Sequence, residues 1–161
     1  MLTRFPGMIS NIDLLLDRIL AMPRIVRGVG ATERDIEDAE RQLGLKIPSD
    51  YAAVLRRAGW LGIGPQEIWG LGPDVPEHLH LIHSTHLWRA NLQICLPGHL
   101  LPIQEDGGGN LFCLDCSCPD CRETPIIFWD HDADLGNRGD LWAATLSKFL
   151  VEDVDNLVAD L

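Results

Sequence analysis

The sequence predicts a single α+β domain, and three observations carry the prediction. Helical periodicity dominates the chain up to about Gln93, strand-like runs punctuated by turn residues occupy Leu100 to Asp130, and helical periodicity returns near the C-terminus. Helices and a local antiparallel sheet in separate runs argue against an alternating βαβ array. With 161 residues, 46% of them hydrophobic, the chain can bury one substantial core, and a chain of this size removes roughly 70% of its unfolded surface from water.

The elements follow in order. Asn11 to Ala21 place Ile12, Leu15, Leu16 and Ile19 at helical spacing, and Pro23 follows the expected end near Met22. Thr32 is positioned to cap a second helix with the apolar stripe Ile36, Ala39 and Leu43, acidic Glu33 and Asp35 in its first turn, and Gly44 at its end. Pro48 opens a third helix carrying Tyr51, Val54, Leu55 and Ala58, which Gly59 stops, so the two form a helical hairpin.

From Gly62 to Pro76, glycines and prolines leave room only for a short strand, Gln66 to Leu71. Leu79 to Gln93 then reads as helix, with Leu81, Thr85, Trp88 and Leu92 on one stripe. Leu100 to Gln104 and Asn110 to Leu114 are strand-like and flank an Asp106 to Gly109 turn. Its glycines permit the positive backbone angles of a tight hairpin. Pro125 to Asp130 supplies a third strand, and Leu141 to Leu150, extending toward Val158, closes the chain as helix.

Charge divides the chain unevenly. Residues 1–104 carry 11 acidic and 10 basic side chains, whereas residues 105–161 carry 13 acidic and only 3 basic ones, Arg122, Arg138 and Lys148. Such a field repels phosphate backbones and attracts basic partners, which argues against nucleic-acid binding. No uncharged apolar run reaches the length of about eighteen residues that a membrane span needs, and Asp13, Asp17 and Arg18 interrupt the N-terminal apolar stretch. A cytoplasmic protein without membrane association is expected. Its five cysteines are then expected as thiols or metal ligands, not disulfides.

Three chemistries overlap between Glu105 and Asp134. The first is metal binding, because Cys113, Cys116, Cys118 and Cys121 form CxxCxCxxC, and four thiolates can hold zinc at about 2.3 Å. A single serine separates the two pairs, however, and strand alternation puts Cys113 on a face with Leu111 and Asp115. Ordinary loop thiols are therefore expected, with Cys116, Cys118 and Cys121 as candidate ligands of a structural zinc completed by an outside histidine as the alternative. A further metal candidate is the run His80, His83 and His86, spaced for nearby parts of one helix face; a solvated face is the simpler reading.

The second chemistry is hydrolysis, suggested by His131 between Asp130 and Asp132. Ser117 lacks an elbow motif, and Gly107 to Gly109 precede a strand without the Lys-Ser/Thr of a phosphate loop, so no catalytic residue set emerges. The third is docking: Glu105, Asp106, Asp130, Asp132 and Asp134 are candidate contacts for a basic protein partner.

Four segments also resemble the SUKH superfamily of Smi/Knr-type domains. TERDIEDAERQLGLKIPSDYAAVLRRAGW (Thr32 to Trp60) is similar to its opening helices, and LLPIQEDGGGNLFCLD to its strand, acidic Gly-rich turn and strand. PIIFWDHD resembles its next strand, and LWAATLSKFL its last helix, with Phe149 in the aromatic position. The resemblance runs from about Thr32 to Leu150. It implies an antiparallel sheet flanked by helices and a role without catalysis: bacterial immunity proteins that silence toxins, frequently nucleases, or fungal regulators of cell-wall assembly. No cofactor is expected apart from the zinc alternative above. In those terms residues 1–31 form an N-terminal helical extension and residues 32–161 the SUKH-like domain. The extension and the Cys116 to Cys121 loop depart from the family pattern. An immunity protein acting through an acidic surface is the expected function, with a metal-binding or redox-responsive regulator, or a SUKH-type scaffold without a toxin, as alternatives.

Overall fold

The computed structural model describes residues 12–118, 120 and 123–160. It is an α+β domain of helices around two antiparallel sheets. Helix α1 (Ile12–Leu20) buries Leu15, Leu16 and Ile19 completely, each contributing about 1.5–3 kcal/mol through apolar burial. Asn11, where the predicted helix begins, lies outside the described residues. Helix α1 packs on α3 (Ser49–Ala58) and shares the main core. Arg57 clamps the two, reaching Asp17 Oδ1 at 2.6 Å and the Asp13 carbonyl at 2.9 Å.

Helix α2 (Glu33–Leu43) follows its sequence signals closely. The Thr32 hydroxyl accepts from the Asp35 amide while Asp35 accepts from the Thr32 amide, a reciprocal cap, and Gly44 ends the helix at φ 68°. Ile36, Ala39 and Leu43 are buried, as are Tyr51, Val54, Leu55 and Ala58 of α3.

The first sheet contains two strands absent from the sequence prediction. Strand β1 (Ile25–Arg27) pairs with β2 (Leu61–Ile63), and β2 with β3 (Gln66–Ile68), in the order β1-β2-β3. Three-residue strands are too short to show alternation, and β2 is buried throughout. The predicted strand ends at Ile68 rather than Leu71 because the chain then crosses Gly59: Leu71 donates to the Gly59 carbonyl at 3.0 Å. A β-carbon on Gly70 would lie 1.6 Å from that carbonyl oxygen.

The predicted helix from Leu79 to Gln93 is broken and shortened. A 3₁₀ turn (Glu77–Leu79) precedes helix α4 (Leu81–Ala90), and His80 between them is extended. A tertiary bridge causes the break, since Gly70 donates to the Leu79 carbonyl at 2.9 Å and accepts from the Leu81 amide at 2.8 Å. Leu81 and Thr85 are buried as predicted, but α4 ends before Leu92, which is 87% exposed.

The second sheet has the order β4-β5-β6-β7, formed by β4 (Leu100–Glu105), β5 (Leu111–Asp115), β6 (Ile126–Trp129) and β7 (Gly139–Ala143). The β4–β5 register skips Ile103, whose carbonyl instead accepts from Trp69 at 2.7 Å and joins the two sheets. Strand β7 corrects the prediction of helix from Leu141. Leu141 to Ala143 pair with β6, and Thr145 caps α5 (Leu146–Ala159) by accepting from the Lys148 amide at 3.1 Å. Phe149, Leu150, Val154 and Leu157 of α5 enter the core, and the buried Asp153 accepts from Gln104 of β4 at 3.0 Å.

Candidate functional site

Strand pairing assembles the predicted carboxylates at one end of the second sheet. Glu105 faces Leu111, Leu111 faces Trp129, and Trp129 faces Gly139 across successive strands. With neighbouring strands about 4.8 Å apart, the turn after Glu105 and the loop after Trp129 are separated by only about 10 Å. Glu105 and Asp106 therefore share one edge with Asp130, Asp132 and Asp134. Asp140 of β7, exposed and directly across from Phe128, extends this edge; the sequence reading has no strand between Asp130 and Leu141 that would bring it there.

Asn110 ties the two loops together. Its Nδ2 donates to Asp106 Oδ2 at 2.8 Å, and its Oδ1 meets the His131 amide at 3.2 Å and His131 Nδ1 at 2.8 Å. Imidazole Nε2 lies 3.2 Å from Asp132 Oδ1. Asp106, Asn110, His131 and Asp132 thus form a continuous polar chain across the sheet end. Burial raises the Asp106 pKa, but the Asn110 side chain and the Gly108 and Asn110 amides outweigh it, holding the carboxyl below its ordinary value and charged.

The His131 loop is fastened from its other side. Trp129 Nε1 donates to the Ile94 carbonyl at 2.9 Å, and Arg138 Nη1 donates to the Gln93 and Ile94 carbonyls at 2.6 and 2.8 Å. Arg138 Nε donates to the Ala133 carbonyl at 2.9 Å. The guanidinium therefore braces backbone while the Asp132 and Asp134 side chains remain exposed. Asp130 Oδ1 accepts from the Asp132 amide at 3.0 Å, a local turn bond.

The candidate hydrolytic residues occupy opposite ends of β5. His131 sits beside Asn110 at the start of the strand, while Ser117 follows its end and donates to Asp115 Oδ1 at 2.6 Å. They make no nucleophile–base pair.

The cysteines are also dispersed in character. Cys113 and Cys116 are buried thiols; burial pushes Cys113 far up, and burial with Asp115 and Asp50 pushes Cys116 to about 12. Both therefore favour the protonated form. Cys118 is exposed and disulfide-bonded, contrary to the expectation of a thiol or metal ligand. Cys121 lies outside the described residues. Among the described residues, no group of three or more His, Cys, Asp or Glu is arranged to hold a metal ion.

The histidine run borders a cleft of about 700 Å³ between α2 and α4. His80, His83 and His86 share it with Asp35 and Asp38, carboxylates contributed by a distant segment. Burial and then His83 lower the His80 pKa. Asp35 and Asp38 already cap α2 and pair with Arg41 at 2.6 Å, respectively.

Fold and site define a compact α+β scaffold presenting a braced carboxylate edge. The family comparison identifies the scaffold: the chain belongs to the SUKH family, because the family model described as SMI1-KNR4 cell-wall matches residues 10–154. The match begins well before Thr32 and includes α1. The search of curated proteins finds no match. Family membership places the chain among immunity-protein-like or cell-wall-related modules, generally non-enzymatic and associated with protein partners. Among the described residues, no helix is long and apolar enough to cross a membrane.

Proposed function

We propose that this protein is a non-enzymatic immunity protein that binds a basic toxin domain through the acidic end of its second sheet. The observation carrying this reading is the Asn110–His131 tie, which holds the Asp106 turn and the Asp130 to Asp134 loop on one surface. Carboxylates held in this way need little ordering on binding, so more of their attraction for Lys and Arg remains as affinity. The mechanism is occlusion: the acidic edge covers the basic surface with which the toxin engages its own target, for a nuclease the phosphate-binding groove.

The test is affinity capture from the native cell with wild-type protein and an Asp130→Lys/Asp132→Lys/Asp134→Lys variant, at about 0.1 and about 0.5 M salt. The expected result is capture of a basic protein by wild type at low salt, with loss in the variant and at high salt. The captured protein, expressed alone, arrests growth, and co-expression with this chain restores it. Capture indifferent to both salt and variant would sink the acidic-edge reading, while a captured partner that is harmless when expressed would sink the immunity role.

A further inference from the structure

Beside the acidic edge, two concavities of about 410 and 500 Å³ share Trp69, His78 and Glu105 and form one groove. The groove crosses the seam between the sheets, where the Trp69 amide donates to Ile103, and its far wall is α4. Leu87 on that wall is 61% exposed and Trp88 is half-buried beside it. The polar wall is made of carboxylates from three separate segments. Glu67 belongs to β3, Glu77 to the 3₁₀ turn and Glu105 to β4.

Nothing in the charge profile of the sequence marks this groove, because Glu67 and Glu77 lie in the nearly neutral first 104 residues. No Lys or Arg lines it among the described residues. The nearest cationic candidates are histidines already facing carboxylates, His78 at 3.0 Å from Glu67 and His83 at 4.0 Å from Glu77. The surface therefore combines an apolar wall, Leu87 and Trp88 of α4, with an anionic rim. Lys and Arg suit this combination because their aliphatic stems cover apolar surface while their charged ends reach the rim, and an Arg guanidinium can also stack on the half-buried Trp88 indole.

We infer that the groove over Trp69, between Leu87 and Trp88 of α4 and Glu105 of β4, seats a partner segment in which Arg or Lys adjoins a large apolar side chain. This inference rests on the basic-partner reading above and adds a second anchoring point to it. The acidic edge attracts the partner at long range, and the groove provides the desolvated contact that sets how long it stays.

The test uses fluorescence anisotropy with a short labelled peptide alternating arginine and leucine, and a glutamate–leucine peptide as control. Glu67→Lys and Leu87→Ser are the groove variants; both sites are exposed, and circular dichroism verifies that each variant folds. Asp130→Lys/Asp132→Lys is the edge variant. The arginine–leucine peptide is expected to bind wild type, with affinity reduced about tenfold or more by either groove variant and about twofold or less by the edge variant. Loss confined to the edge variant would overturn the groove and leave the acidic-edge reading standing. Equal loss in both sets would mean undirected charge attraction and would also overturn the groove, whereas no binding to wild type would count against both readings.

Discussion

The N-terminal helices and the end of the second sheet use their carboxylates in opposite ways. In the helices the acids are matched by bases or caps: Glu33 pairs with Arg56, Asp17 with Arg57, Asp38 with Arg41, and Asp35 closes the α2 cap. At the sheet end Asp106 and Asp130 accept from amides of their own turns, Asp132 faces His131, and the nearby Arg138 donates to carbonyl groups. Similar numbers of acids therefore create a locally neutral scaffold in one region and an outward negative field in the other. The difference lies in where the bases are, and it separates acids that hold the fold from the acidic edge proposed above to meet a partner.

The largest test of this contrast removes the brace beneath the acidic loop. Trp129→Ala is expected to cost about 3–5 kcal/mol in denaturant unfolding, because it deletes a buried ring and the bond to Ile94. A loss below about 1 kcal/mol would mean that the loop is not anchored through the core.

Asp153 sharpens the contrast from the other side, as the acidic third's buried carboxylate. Burial raises its pKa to about 6, opposed by the Gln104 bond and aided by Glu152. Because the folded pKa exceeds the unfolded value, native protein binds the extra proton. The associated stability is fully present below about pH 4 and is lost as pH rises through about 6, at most about 3 kcal/mol in all. Asp153→Asn can retain acceptance from Gln104 without the charge. It is expected to unfold at higher urea than wild type at pH 7 and to lose this part of the pH slope. A pH slope unchanged by the substitution would remove Asp153 from the account.

Asn110→Ala comes next, with an expected cost of about 1–2 kcal/mol. Faster hydrogen exchange at the His131 amide is the specific readout, because that amide loses its acceptor. Exchange left unchanged would break the argument that the two loops form one surface.

The smallest effect belongs to the neutralised region. Asp17→Ala is expected to cost about 0.2–1 kcal/mol in thermal or urea unfolding, diminishing with added salt. An Asp132→Ala change should stay within about 0.5 kcal/mol. If Asp132 proved the more costly, the assignment of scaffold and surface roles would have to be reversed.

Much of this was legible locally. Thr32, the stripe Ile36, Ala39 and Leu43, and Gly44 specify α2 within a few turns, and Glu105 to Leu114 specify a hairpin through alternation and turn chemistry. The failures occurred where a distant segment captured the backbone. Gly70 bridged His80 and interrupted a helical pattern, β6 drew Leu141 to Ala143 into a strand, and β1 became a strand only through pairing with β2.

By itself, the sequence determined the α+β class, the helical hairpin, the acidic turn and the concentration of negative charge after Glu105. These follow from periodicity, caps and composition, which act between residues close in the chain. Only the tertiary structure decided that Asp106 and Asp132 belong to one polar chain through Asn110 and His131, that Asp140 joins their edge, and that Glu67, Glu77 and Glu105 face one groove. Strand register and the packing of α4 against the sheet seam set those neighbours, and both depend on contacts between segments whose separation in sequence carries no local signal.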